Sequence, residues 1–227
     1  MTDVGAPTVS ALSVARLSCH RGGQLVLDDV TFRVAAGDAV LLLGPNGVGK
    51  TTLLRVIAGL LRPSSGSVTL DGIEAMADPP PSRAFMHIFG PQNGLKSTLT
   101  VRENLSFWQR FLGEEDDADA CDAALRSFGL DDLAELPVSV LSTGQRRRAG
   151  LARLIAVSRP IWLLDEPNHG LDADSRRALA DAVRAHVYDG GMSLIATHSE
   201  VEAGPVRRLQ LGAGQLDVRD ADSGVPA

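Results

Sequence analysis

Gly44-Pro45-Asn46-Gly47-Val48-Gly49-Lys50-Thr51 lies directly after the apolar run Ala39-Val40-Leu41-Leu42-Leu43 and opens a stretch of helical periodicity from Thr51 to Leu61. This order decides the fold: the pattern G-x-x-x-x-G-K-[ST] carries weight because it sits between a buried strand and a helix. Glycines let successive backbone amides point inward around a phosphate, where side chains would crowd the approach. The helix start at Lys50 and Thr51 adds unsatisfied N–H groups and the positive end of the helix dipole. The phosphate-facing set is therefore Gly44 to Thr51 together with Thr52, with Lys50 expected on the β- and γ-phosphates and the Thr51 hydroxyl on Mg²⁺.

Working outward, a chain of 227 residues is long enough for one domain with a substantial core and a small inserted lobe, and short for two domains. Hydrophobic residues at 44% and charged residues at 22% suit a globular chain and exclude disordered, collagenous and coiled-coil classes. Lys and Arg number 22 against 28 Asp and Glu, so the net charge of -6 carries no global footprint for nucleic acid. Cys19 and Cys121 have no Cys-x-x-Cys spacing and read as reduced thiols. Met1 to Ser10 holds Asp3 and Pro7 where a signal peptide needs a basic region and an apolar run, so a cytoplasmic chain is expected. No apolar run approaches about eighteen residues, and any membrane role is expected to come through a partner.

The flanks complete an α/β pattern. Leu12 to Leu17 and Val30 to Val34 alternate as antiparallel strands around a Gly22-Gly23 turn, and Gly37-Asp38 turns the chain into the central strand. The helix from Thr51 to Leu61 is closed by Gly59 and Pro63. Gly66 to Leu70 reads as a strand and Asp71-Gly72 as a turn; Pro79-Pro80-Pro81 interrupts regular structure before Ala84 to Phe89. A helical lobe is expected over about residues 93–159, with the acidic run Glu114 to Asp117 forming a solvated loop or helix start. Then follow a strand at Ile161 to Leu164, a helix at Asp174 to His186, a strand at Ser193 to Ala196 and a closing hairpin within Gly204 to Val218. This gives one domain over 1–218 and a flexible polar tail over 219–227.

Two further clusters carry chemistry. Ile161 to Leu164 runs into Asp165-Glu166-Pro167, which puts two carboxylates at the carboxyl end of a buried strand, where open α/β sheets bind ligands. Asp165 suits Mg²⁺ held through water; Glu166 suits a general base that polarises the attacking water. Leu141-Ser142-Thr143-Gly144-Gln145 precedes the helix-forming stretch Arg146 to Val157 and offers a hydroxyl and glycine amides at a helix start. Lying beyond the helical lobe, it is placed to complete a nucleotide site in another subunit.

Together these residues resemble an ATP-binding subunit of the ABC transporter family, with Gly44 to Thr51 similar to Walker A, Ile161 to Glu166 to Walker B and Leu141 to Gln145 to the signature motif. The resemblance implies a P-loop NTPase of ABC ATPase type that hydrolyses ATP with Mg²⁺, built with an N-terminal antiparallel β subdomain and an inserted helical subdomain. It also implies roles for Gln92 as the Q-loop residue linking the Mg²⁺ region to a membrane partner, for Gly170-Leu171-Asp172 as the D-loop, and for His198 as the switch histidine at the γ-phosphate. Ser142, Thr143, Gly144 and Gln145 would then face the nucleotide of a second copy. Thr143 departs from the usual glycine, and Asn168-His169 from the usual Thr-Ser stretch. Where the family stacks an aromatic residue on adenine, this chain has His20 and Arg21, with Arg21 able to stack by cation–π contact and His20 the alternative.

A finer resemblance, to the ATP-binding subunits of haem export in cytochrome c maturation, is carried by Asn93-Gly94-Leu95-Lys96, Leu99 to Leu105, Phe107-Trp108 and Gly144 to Arg148. It implies a peripheral protein on the cytoplasmic face of the inner membrane, paired with a second copy and with integral membrane subunits, and no nucleic-acid partner. The coupling element of the membrane subunit is expected on the lobe between Gln92 and Phe111. Another small bacterial ABC exporter, or a soluble ABC protein acting on translation or nucleic acid, is the alternative.

Overall fold

Two sheets sandwich the helix that follows the glycine loop. The computed structural model describes residues 8–75, 82–198, 206–212 and 215–219. In the first sheet β1 (Ala11–Arg21) pairs antiparallel with β2 (Gln24–Ala35) on one side and β4 (Ser65–Leu70) on the other, and the short β5 (Ile73–Glu74) follows β4. Both leading strands run past the apolar residues that signal them, because their ladder continues to the turn, where Gly22 and Gly23 take φ values of 57° and 80°. The second sheet has the order β10-β9-β3-β8-β7-β6. Its members are β3 (Ala39–Leu43), β6 (Met86–Phe89), β7 (Ile161–Asp165), β8 (Met192–Ala196), β9 (Arg207–Gly212) and β10 (Gln215–Arg219). All neighbours are parallel except the closing β9–β10 hairpin.

The unbroken apolar run of β3 follows from two-sided burial. Val40 and Leu42 enter one core with Leu12, Val14 and Leu17 of β1, while Leu41 enters a second core with Leu164, Ile195 and Leu105. β7 divides in the same way, Ile161 and Leu163 to the first core and Trp162 and Leu164 to the second. Each fully buried leucine contributes about 1.5–3 kcal/mol of transfer free energy, so this register is strongly specified.

Helix α1 (Lys50–Ile57) packs Leu53, Val56 and Ile57 into the first core. It stops four residues short of the expected Leu61. Gly59 at φ 69° sends its N–H to the Val56 carbonyl, and Leu60 sends its N–H to the Arg55 carbonyl, a Schellman closure that leaves Leu60 55% exposed. Regular structure resumes with α2 (Ser82–Phe85), a single helical turn, before β6; Pro79 to Pro81 lie outside the described residues.

The lobe enters between the adjacent parallel strands β6 and β7. α3 (Val101–Phe111) and α4 (Ala118–Ser127) pack with α5 (Thr143–Ala156). Thr100 and Glu103 form a capping box on α3, and Asp117 caps α4 through the Ala120 N–H. The acidic run is thus the loop before α4 and its cap. Glu114 is tied to the buried Arg159 at 2.6 Å, with its carboxyl raised by burial, and Arg110 pairs with Asp116. α6 (Ala173–Tyr188) starts on the Asp172 cap and returns the chain to β8. Cys19 and Cys121 are buried free thiols. Among the described residues no helix is long and apolar enough to cross a membrane. The tail beyond Arg219 lies outside the described residues.

Candidate functional site

The carboxyl ends of β3, β7 and β8 bring the chemistry together. Gly44 leaves β3 at φ 150°, and a Cβ there would overlap the Leu211 carbonyl oxygen of β9, so only glycine fits. Gly49, at φ 116°, lies against Val26 and Leu27 of β2, with a Cβ only 3.0 Å from Leu27 Cδ2. The first sheet thereby holds the loop from outside. Lys50 is 6% exposed and its ammonium donates to the Gly44 and Pro45 carbonyls at 2.6 and 3.2 Å, a bridge across the loop.

The Thr51 hydroxyl donates to Asp165 Oδ2 at 2.7 Å, joining the start of α1 to the end of β7. One residue on, Glu166 adopts φ 47°; its N–H donates to the Ala196 carbonyl at 2.8 Å. Both carboxylate oxygens lie 3.0 Å from His198 Nδ1, just beyond β8. A left-handed non-glycine residue costs about 1–3 kcal/mol and persists where its surroundings over-determine it. Here the bent backbone turns Glu166 toward His198.

Asn46, Gly47, Gly49, Lys50, Thr51, Thr52, Asp165 and Glu166 line one cavity of about 170 Å³. A second, of about 360 Å³, shares Asp165 and Glu166 and continues to Pro91, Asn93, Thr143, Arg147, His169 and Gly170. A larger groove of about 700 Å³ lies between α5 and α6, around Trp162 and His186, and none of its walls is a residue named above for chemistry. For Mg²⁺ the donor set fits: a hydroxyl and a carboxylate in hydrogen-bond contact supply the hard oxygen ligands this ion prefers. Among the described residues no three His, Cys, Asp or Glu side chains converge on a metal position, so the remaining ligands must be phosphate and water oxygens.

The other sequence-derived residues lie outside the first cavity. Ser142 and Gln145 form a capping box at the start of α5, with N–H to side-chain oxygen distances of 3.2 and 2.7 Å, and Gly144 stands beside the Gly170 carbonyl. Thr143 reaches the second cavity. Gln92 is exposed on the loop after β6 and lines neither cavity; its neighbours Pro91 and Asn93 line the second. Arg21 sits exposed at the β1–β2 turn, and the His20 ring is hydrogen-bonded to Ser64 at 3.0 Å. Asp172 caps α6 by accepting from Ser175, which lowers its carboxyl pKa. Sequence reasoning passed over Arg147, a buried member of the site, because the run Arg146-Arg147-Arg148 does not tell which arginine points inward.

A P-loop ATPase fold with these carboxylates, this histidine and an inserted helical lobe defines the class. A profile of the ABC transporter family matches residues 27–169, and the chain belongs to that family as one of its ATP-hydrolysing subunits. Within it the chain is similar to the cytochrome c biogenesis ATP-binding export protein CcmA of Rhizobium meliloti (strain 1021), 44% identical over 86% of this chain and 94% of the relative. The protein of that name from Rhodopseudomonas palustris (strain BisB5) is 46% identical over 89% and 98%. Among solved structures, the ATP binding subunit of an ABC transporter superposes with a TM-score of 0.84 at 26% identity, covering 95% of this chain and 91% of that one.

Proposed function

We propose that two copies of this chain close head to tail around ATP beneath integral membrane subunits, and that hydrolysis drives haem handling for cytochrome c maturation from the cytoplasmic face of the inner membrane. The observation that carries the chemistry is that Thr51, Asp165 and Glu166 line one cavity, with Thr51 bonded to Asp165 and Glu166 in contact with His198. Lys50 neutralises charge on the β- and γ-phosphates, Thr51 and Asp165 orient Mg²⁺, and Glu166 takes the proton of the attacking water while His198 holds its carboxylate. Mg²⁺, when bound, stabilises negative charge developing on the phosphate oxygens. Ser142 to Gly144, displayed on the α5 start outside the chain's own phosphate cavity, meet the nucleotide of the second copy. Phosphate release removes those contacts and the copies part.

The haem assignment rests on similarity to the CcmA proteins across nearly the full length of both chains. The lobe offers a seat for a membrane partner: Phe107, Trp108 and Phe111 cluster with ring centroids 5.5–5.7 Å apart, Phe111 is 66% exposed, and Trp108 Nε1 donates to the Gly94 carbonyl on the loop after Gln92. The test is an affinity pull-down of the full chain from detergent-solubilised membranes. Integral subunits that associate with haem or apocytochrome c are expected; ribosomes, DNA, or the permease of a different exporter would overturn the assignment.

A further inference from the structure

One side chain holds the loop after β6, the end of β7 and the start of α5. Arg147, 7% exposed, donates from Nη2 to the Glu166 carbonyl at 2.7 Å and from Nη1 to the Gly90 carbonyl at 2.5 Å, with Asn93 Oδ1 at 3.3 Å. Its guanidinium carbon lies 4.2 Å over the Phe89 ring. The flanking arginines do otherwise: Arg146 reaches back to the Leu141 carbonyl, and Arg148 to the carbonyls of Phe128 and Gly129 within the lobe. Arg147 alone of the three crosses to the sheet. Arg147 lines the second cavity together with Asp165 and Glu166, and burial lowers its pKa while the Asp165 charge acts in the opposite direction.

Glu166 occupies the left-handed region, which an L residue leaves unless it is held. Its N–H is fixed by the Ala196 carbonyl on β8, and its carbonyl accepts from Arg147 Nη2 at 2.7 Å and, at 3.2 Å, from the His169 N–H within the same turn. We infer that Arg147 is a positioning residue for ATP hydrolysis: it locks the Glu166 backbone in the conformation that aims the carboxylate, and ties that setting to the loop bearing Gln92 and to the helix bearing Ser142 to Gly144. Displacing α5 from the sheet breaks the Arg147–Glu166 bond and leaves the Glu166 carbonyl to the longer His169 contact, so the base is held most firmly while the lobe is seated. The inference rests on Glu166 as the base. The two carbonyls are taken by different nitrogens of one planar fork, Nη1 on Gly90 and Nη2 on Glu166, a spacing that the single ammonium of a lysine does not reproduce.

The test uses the full chain as wild type, R147Q, R147K, E166Q and R147Q/E166Q, with single-turnover hydrolysis, a titration of ATP concentration, and affinity for a fluorescent ATP analogue. R147Q is expected to lose about 30-fold or more in the hydrolysis rate, as misplacement of a reacting group by about 1 Å does, with analogue affinity and KM within about twofold of wild type. R147K is expected between, at least about fivefold below wild type. In the E166Q background the R147Q change should add nothing, because the group it positions is already gone. Independent, multiplying losses in the double variant, or a raised KM with unchanged rate, would overturn the positioning role. Should R147Q fail to fold, R147K decides: a wild-type rate overturns the inference. Wild-type turnover in E166Q overturns the base assignment instead, which keeps the two failures apart.

Discussion

His87 on β6 makes stability fall in mild acid by an amount that can be worked out. It is 2% exposed, its Nε2 donates to the Val157 carbonyl at the end of α5 at 2.8 Å, and Arg153 and Arg159 stand near it. Burial first, then the Arg153 charge, push its pKa from 6.5 down to about 3. The sign follows from proton uptake. Below pH 6.5 the unfolded chain gains a proton that the folded chain refuses until about pH 3, so the contribution is complete above 6.5 and is lost as pH falls. The loss is about 1.4 kcal/mol per pH unit, or about 2 kcal/mol between pH 7.5 and 5.0. With a urea m-value of about 3 kcal/mol/M, the midpoint moves by about 0.7 M. Urea titrations at the two pH values should show this shift in wild type in excess of the shift in His87→Gln, which keeps a donor for Val157 but cannot titrate. His186 and the carboxylates remain in both proteins and cancel. Equal acid losses in the two proteins would refute a neutral, buried His87.

Three further perturbations address the site. Gly44→Ala places a Cβ against the Leu211 carbonyl at a φ of 150°; strain and overlap together cost about 2–5 kcal/mol, and ATP affinity by calorimetry should fall at least about tenfold, with an unchanged affinity refuting the close-approach argument. Thr51→Val removes the hydroxyl that meets Asp165, so the Mg²⁺ concentration for half-maximal hydrolysis should rise about tenfold while nucleotide binding in EDTA is retained; an unmoved Mg²⁺ midpoint would remove Thr51 from the ion's ligands. His198→Ala leaves Glu166 without its 3.0 Å partner, and turnover should drop about 100-fold with ATP affinity within a few-fold; wild-type turnover would show that the contact is dispensable.

What the sequence disclosed, and what it hid, follows from the range of the interactions concerned. β3, the glycine loop and the strand ending in Asp165 are local: apolar run, turn chemistry and helix start sit side by side, and the structure has them where they are expected. The strand pairings of β1 and β2 were legible in type but not in length, because a ladder extends beyond the apolar residues that signal it. The end of α1 was overrun, since Leu60 fits the apolar periodicity yet belongs to the Schellman closure set by Gly59. Contacts at long range were the least legible. Thr51 to Asp165 spans 114 positions, and it was legible only because the glycine loop and the strand-end carboxylate each pointed to the same Mg²⁺. Arg147 to Gly90 spans 57, and nothing in a run of three arginines announced it.

The central claim is that two copies enclose ATP, with Glu166 limiting its lifetime. Sedimentation of the E166Q chain with saturating Mg-ATP measures this directly. A dimer mass in ATP that reverts to monomer in ADP is predicted; a monomer under both conditions would contradict the account.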